Sequence, residues 1–152
     1  MTGESPDVLP MRATIERYFA ALDNRQFELL RDVFTPDAIG DWRGEAFTAD
    51  TILQGVDSII ERVSKVSRFT ASTHIGGSSA FQVDSPPDTP TVVTHAVSFL
   101  KTSGESPRVI VRGVRYEDNF ILTGGGWRIH HRIHQPTWQY AQPAEIADLS
   151  NR

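Results

Sequence analysis

The chain of 152 residues contains no cysteine, which removes disulfides, thiolate nucleophiles and cysteine-ligated zinc together. It has no apolar run long enough to span a bilayer, so a membrane is not an expected partner. Positive charge is in deficit: 15 Lys and Arg face 19 Asp and Glu, for a formal net charge of −4. Such a chain offers no basic field to a phosphate backbone, and nucleic acid is not an expected partner either. The opening residues Met1 to Pro6 show neither the positive n-region nor the apolar h-region of a signal peptide, so a cytoplasmic location is the expectation. What is present is a globular composition, 39% hydrophobic and 22% charged. This excludes a disordered tail, and the length suits one domain with one sizeable core.

Residues 1–10 are small, polar and proline-containing and read as a flexible lead-in. Met11, Ile15, Phe19 and Leu22, with Tyr18 beside them, recur at three- and four-residue spacing and predict an amphipathic helix. Phe27, Leu30 and Phe34 suggest a second, short helix ended by Thr35-Pro36-Asp37. Val56, Ile59, Ile60 and Val63 predict a third, with Gly55 before it and Glu61 and Lys65 placed as a supporting pair. From Phe69 the period changes to that of strands, expected over Phe69–Val83, Thr91–Lys101, Arg108–Leu122 and Trp127–Thr137, with a short one near Ala38–Arg43. The connections are short and rich in turn formers, so consecutive strands should pair antiparallel. Strands this long must bend, and Gly76-Gly77 and Gly113 are natural bulge sites. The order implies an α+β fold: a curved antiparallel sheet, cone-shaped and barrel-like, packed against three N-terminal helices. Residues 11–140 make the domain, and 141–152 form a tail that would be either a small amphipathic cap over a pocket or unstructured.

Asp23 falls four residues after Phe19 and eight after Ile15, on the buried stripe of the first helix, where a carboxylate needs a partner. Followed by Gln26, it also reads as a capping box for the second helix. His74 shares a strand face with Thr70 and Ser72, opposite Ala71, Thr73 and Ile75, and that face is either solvent or a polar pocket wall. If it meets Asp23, the carboxylate fixes the imidazole tautomer and leaves the second nitrogen free to take a proton near neutral pH. Alternation groups His95 with Val93, Val97 and Phe99, making it a core residue or part of a pocket wall. Asn119, Tyr116 and Trp42 add polar or aromatic character suited either to a pocket or to structure alone.

The run His130-His131-Arg132-Ile133-His134 invites a metal reading, but on a strand His130 and His134 lie roughly 13 Å apart, too far to share one tetrahedral ion. No metal or other cofactor is expected. Gly76-Gly77-Ser78-Ser79 misses the nucleophile-elbow pattern, and Thr123-Gly124-Gly125-Gly126 misses the spacing of a phosphate or dinucleotide loop.

Four segments together resemble the SnoaL-like branch of the nuclear transport factor two superfamily: Ile15 to Asp23, Phe34-Thr35-Pro36-Asp37-Ala38, Thr73-His74-Ile75-Gly76-Gly77 and Gly126-Trp127-Arg128-Ile129. The resemblance spans about Met11 to Thr137. It is nearest in motif to scytalone dehydratase and hexachlorocyclohexane dehydrochlorinase, cofactor-free eliminating enzymes built on an Asp–His dyad. It implies a cystatin-like α+β roll with a conical pocket, a small hydrophobic substrate and a homo-oligomer, dimer or trimer. Asp23 and His74 match the dyad, Asn119 matches a pocket asparagine, and Trp42 stands in place of a pocket tyrosine. Arg132 resembles a cavity arginine, although alternation sets it opposite Trp127 and Ile129, so this placement requires a bulge. Leu22 and Lys101 replace a tyrosine and a histidine of the dehydratase. The candidate substrate-binding set is therefore Asn119, Trp42, Tyr116, His95, Tyr18 and Arg132, around a His74 base held by Asp23. The expected activity is a dehydratase-type elimination, with an isomerase, a polyketide-type cyclase or a non-catalytic small-molecule-binding module as alternatives.

Overall fold

The computed structural model of the protein describes residues 7–44 and 51–144. Helix α1, Leu9–Asp23, begins two residues earlier than the lead-in reading, because Asp7 Oδ1 accepts from the Leu9 amide at 3.0 Å and Pro10 sits in the first turn, where no amide is needed. Its stripe of Met11, Ile15, Tyr18, Phe19 and Leu22 is buried. The helix stops because Arg25 adopts a left-handed backbone, φ +58°, which turns the Gln26 amide back onto the Ala21 carbonyl.

The expected second helix is a 3-10 segment, Phe27–Asp32. Six residues with one buried side chain and no side-chain cap are too few to sustain an α-helix. The step Thr35-Pro36-Asp37 does not end it but lies inside strand β1, Phe34–Trp42. A four-residue strand β2, Thr51–Gln54, went unread because it is too short to show a period. It leads into α2, Gly55–Ser64, which buries Val56, Ile59 and Val63. A second 3-10 segment, Lys65–Arg68, follows directly, so Glu61 and Lys65 do not share a regular helix.

The four long strands lie close to their expected places: β3 Ala71–Phe81, β4 Thr91–Lys101, β5 Arg108–Thr123 and β6 Gly126–Pro143. The first three residues of the expected tail, 141–143, thus belong to β6, while residues 145–152 and the first six residues of the lead-in lie outside the described ones. The sheet order is β2-β1-β6-β5-β4-β3. Pairings from β3 through β6 are antiparallel, as is β1 with β2, but β1 runs parallel to β6. The sheet is therefore mixed, and it stays open, with β2 and β3 as its edges, rather than closing as a barrel. Among the described residues no helix is long and apolar enough to cross a membrane.

Among the described residues three bulges bend the β3–β6 part of the sheet, and β1 also shifts register against β6 between Phe34 and Ile39. One lies in β3 between Gly76 and Ser79, and one faces Gly113, where Thr137 of β6 is the extra residue; both involve the glycines expected to bend. The third inserts His130, since Phe120 pairs with Ile129 and Asn119 with His131. The helices cover one face, and the core between the layers joins Tyr18 and Phe19 of α1 to Phe34, Val92, Tyr116, Phe120 and Ile129 of the strands.

At the β3 bulge, a Cβ on Gly77 would stand 2.7 Å from the His95 carbonyl oxygen of the neighbouring strand. Backbone cannot swing aside, so Gly77→Ala is expected to cost about 1–3 kcal/mol and to lower the melting temperature by a few degrees. Thermal denaturation followed by circular dichroism checks this, and an unchanged melting point would contradict it.

Candidate active site

The end of α1 delivers Asp23 to β3. Asp23 Oδ2 accepts the backbone N–H of His74 at 2.7 Å, and Oδ1 accepts from the Ser72 hydroxyl at 2.8 Å and from His74 Nδ1 at 2.6 Å. Asp23 does not cap the following 3-10 segment, whose flanking residue is Gln26. Burial raises the tendency of the Asp23 carboxyl to hold a proton, but the hydrogen bonds and charge of His74, with Ser72, outweigh it and leave the group below its ordinary value. An ionised carboxylate only accepts, so His74 Nδ1 carries the hydrogen, and in the neutral ring Nε2 presents its lone pair. Among the described residues nothing hydrogen-bonds Nε2. The imidazole, only 7% exposed, also stacks flat on Phe19, 5.7 Å between centroids and 5° between planes.

Arg25, which sequence reading passed over, completes the arrangement. Its Nη1 donates to the Leu22 carbonyl at 2.7 Å and to Ser72 Oγ at 2.6 Å, and its Nη2 donates to the Phe69 carbonyl at 3.2 Å. One cation thus satisfies a carbonyl at the helix C-terminus and orients the Ser72 hydroxyl toward Asp23. A signal was present in the sequence, since helix ends attract cations, but its reach to β3 was not readable.

His74 lines a cavity of about 110 Å³ between the helices and the sheet. Tyr18, Leu22, Trp42, Ser98, Tyr116 and His134 share its wall. Of the expected binding residues, Tyr18, Trp42 and Tyr116 are therefore brought together with His74. Gly40 lets Trp42 lie back along β1, because a Cβ there would come within 2.4 Å of the indole. Burial, reinforced by Tyr18, raises the Tyr116 phenol well above its ordinary value, so it remains a hydrogen-bond donor.

Three expectations need correction. His95 is exposed on the outer face of β4, because the strand turns Val92, Thr94, Ala96, Ser98 and Leu100 inward instead. Asn119 faces away from the cavity and donates to the Thr89 carbonyl at 2.8 Å, pinning the segment that leads into β4. Its neighbour Asp118 is the inward residue, fully buried. Arg132 is inward too, since the His130 bulge puts it on the face of Ile129, but it does not line the cavity. It lies fully buried behind the wall, paired in two-pronged fashion with Asp118 at 2.6 and 2.8 Å. Its guanidinium carbon stands 4.1 Å from the Tyr18 ring centroid and 4.6 Å from that of Tyr116. Burial opposes the Arg132 charge, and Asp118 more than offsets it, holding the guanidinium protonated.

His134 was read only as one of a histidine run, yet it is a wall residue. It stacks on Trp42, 5.2 Å between centroids, and meets Tyr116 edge-on at 5.3 Å. Burial, then the Arg132 charge, lowers its pKa to about 3, so it is neutral in the fold. Among the described residues its Nδ1 is buried without a partner. His130, by contrast, contacts Thr35 Oγ1 at 3.2 Å and stands 3.7 Å from Asp37, apart from the cavity. Among the described residues no three His, Cys, Asp or Glu side chains are grouped as metal ligands.

Two stability effects follow. In the unfolded chain His134 takes a proton below about pH 6.5, in the fold only near pH 3. Between these values the unfolded state holds the extra proton, so stability falls as pH drops, by up to about 1.4 kcal/mol per pH unit from this group. Urea titrations at pH 7, 6 and 5 should show a shallower loss in His134→Gln than in the wild type; parallel losses would contradict the assignment. Asp118→Ala, which strands the buried Arg132 charge, is expected to cost about 3–5 kcal/mol in the same measurement.

The comparisons with known proteins agree with this architecture. An uncharacterized protein of Mycobacterium tuberculosis is 28% identical over 142 residues, covering 90% of each chain. A proposed scytalone dehydratase of Novosphingobium aromaticivorans superposes with a TM-score of 0.73 at 15% identity, over 91% of this chain and 88% of that one. Hexachlorocyclohexane dehydrochlorinase type 3 of Novosphingobium barchaimii superposes with a TM-score of 0.65 at 19% identity, over 93% of each. At such identities the structural likeness carries the fold alone. The SnoaL-like domain model matches residues 4–133, and the chain belongs to that family.

Proposed function

We propose that the protein is a cofactor-independent lyase that removes a proton from carbon in a small organic molecule and expels a neighbouring hydroxyl. The observation that carries this reading is the 2.6 Å contact between Asp23 Oδ1 and His74 Nδ1 at the wall of a sheltered cavity. The contact fixes His74 as the tautomer whose Nε2 accepts a proton, and the Asp23 carboxylate stabilises the imidazolium that results. A binding module has no need of an oriented base, so the dyad favours catalysis over simple capture.

The reaction is balanced without an outside reactant. Nε2 takes the proton from a carbon beside a carbonyl, and the electron pair moves toward the carbonyl oxygen. Tyr116, a protonated phenol, and His134, a neutral imidazole, are the wall groups suited to donate to that oxygen as its charge grows. When the hydroxyl leaves, the imidazolium returns the proton to it, so water departs, a carbon–carbon double bond remains and His74 is restored. The wall is polar at these groups and apolar at Leu22, Leu100 and Val114, which suits a compact, largely hydrophobic substrate.

A panel of β-hydroxy carbonyl compounds, incubated in D2O and read by mass spectrometry for water loss and deuterium uptake, tests the proposal. His74→Ala should lower turnover of any responsive compound by about 10²–10⁴-fold, with Asp23→Asn also strongly impaired. Equal rates in wild type and His74→Ala would remove the base assignment.

A further inference from the structure

The cavity has a second character that elimination alone does not require. Arg62, Lys65 and Arg68 line it from α2 and the 3-10 segment behind it, and Arg112 lines it from β5. The three from the helical side are spaced by three residues, and the last two fall in a 3-10 stretch, where residues three apart lie one above the other. Among the described residues no Asp or Glu lines the cavity. Four cationic residues line it, Lys65 and Arg68 among them solvent-exposed, although the whole chain carries a net charge of −4. Solubility does not explain such a local reversal of sign, whereas focusing an anion into a cleft does.

Arg112 and Arg68 also have contacts that orient them. Arg112 donates from Nε to Gln139 Oε1 at 3.1 Å, and it shares the cavity wall with Val114 and Tyr116. The Arg68 guanidinium lies 4.9 Å from the Phe69 ring centroid. Among the described residues neither Lys65 nor the remaining Arg112 nitrogens pair with a carboxylate.

We infer that the substrate bears an anionic group, a carboxylate or a phosphate ester, which Lys65, Arg68 and Arg112 bind while the reacting carbon lies against His74. This rests on the lyase reading for the reacting end only, because anion recognition is independent of the base. Arginine forks match the paired oxygens of either group. In a cavity of about 110 Å³ the anchor also limits the ways in which a small molecule can lie, and so presents one carbon to Nε2.

Isothermal titration calorimetry with three probes of similar shape tests the inference: 3-phenylpropanoate, phenethyl phosphate and neutral 3-phenylpropanamide. At least one anion should bind about tenfold or more tightly than the amide, and which one does so names the group. That advantage should shrink between about 50 mM and about 500 mM NaCl. It should vanish in the triple variant Lys65→Gln, Arg68→Gln, Arg112→Gln, with amide affinity unchanged. His74→Gln, which removes only the proposed base, should keep the anion preference, so loss of turnover and loss of recognition are read separately. Equal affinity for all three probes, no saturable binding of either anion, or a preference that survives the triple substitution would overturn the inference.

Discussion

The carboxylate of Asp23 is the joint on which the site depends. It accepts three hydrogen bonds from two residues of β3, one of them from backbone, and so couples the last turn of α1 to the edge strand of the sheet. A single contact would leave the helix end free to swivel about it. Three, with Arg25 bridging the Leu22 carbonyl to Ser72 behind them, leave one geometry. The same bonds keep the carboxylate charged despite burial, set the histidine tautomer and hold the ring against Phe19. Fold and the proposed chemistry therefore rest on the same atoms: weakening the joint loosens an edge strand and also misaims the proposed base.

Behind the cavity wall a second polar element shapes the site without entering it. The Arg132–Asp118 pair is fully buried, and its position under Tyr18 and Tyr116 sets those rings in place. Taking two charges out of water is costly, and close two-pronged geometry offsets that cost. Its positive charge also reaches His134, helping to keep that imidazole neutral. The cavity wall thus combines His74, the proposed base, with donors whose protonation is set by burial. This separation of roles by environment is how one set of side chains supports acid and base chemistry at one pH.

Much of this was legible before any coordinates. The amphipathic stripe of α1 and the turn-rich joints between long β-branched runs gave the order of elements, because periodicity is a local property of a helix or strand. Asp23 and His74 could be paired through the family resemblance, since periodicity left the His74 face as either solvent or pocket wall and Asp23 also readable as a cap. The second helix and β2 were misread or passed over for a simple reason: four to six residues are too few for a period to declare itself. The parallel pairing of β1 with β6 was equally hidden, since partners almost a hundred residues apart leave no mark on local pattern.

Facing within the strands is where sequence reading ran out. In β4 both faces are apolar, Val93, Val97 and Phe99 on one and Val92, Ala96 and Leu100 on the other, so alternation alone did not tell that His95 lies outside. In β5 the choice between Asp118 and Asn119 turned on the same phase, and in β6 the His130 bulge shifted it, carrying Arg132 and His134 inward. The chain by itself determined which longer segments are helical or extended, and offered a carboxylate and an imidazole as candidates for a dyad. Only tertiary structure decided which strand neighbours share the cavity, because strand phase is reset wherever a bulge adds a residue, and bulges form against a partner strand.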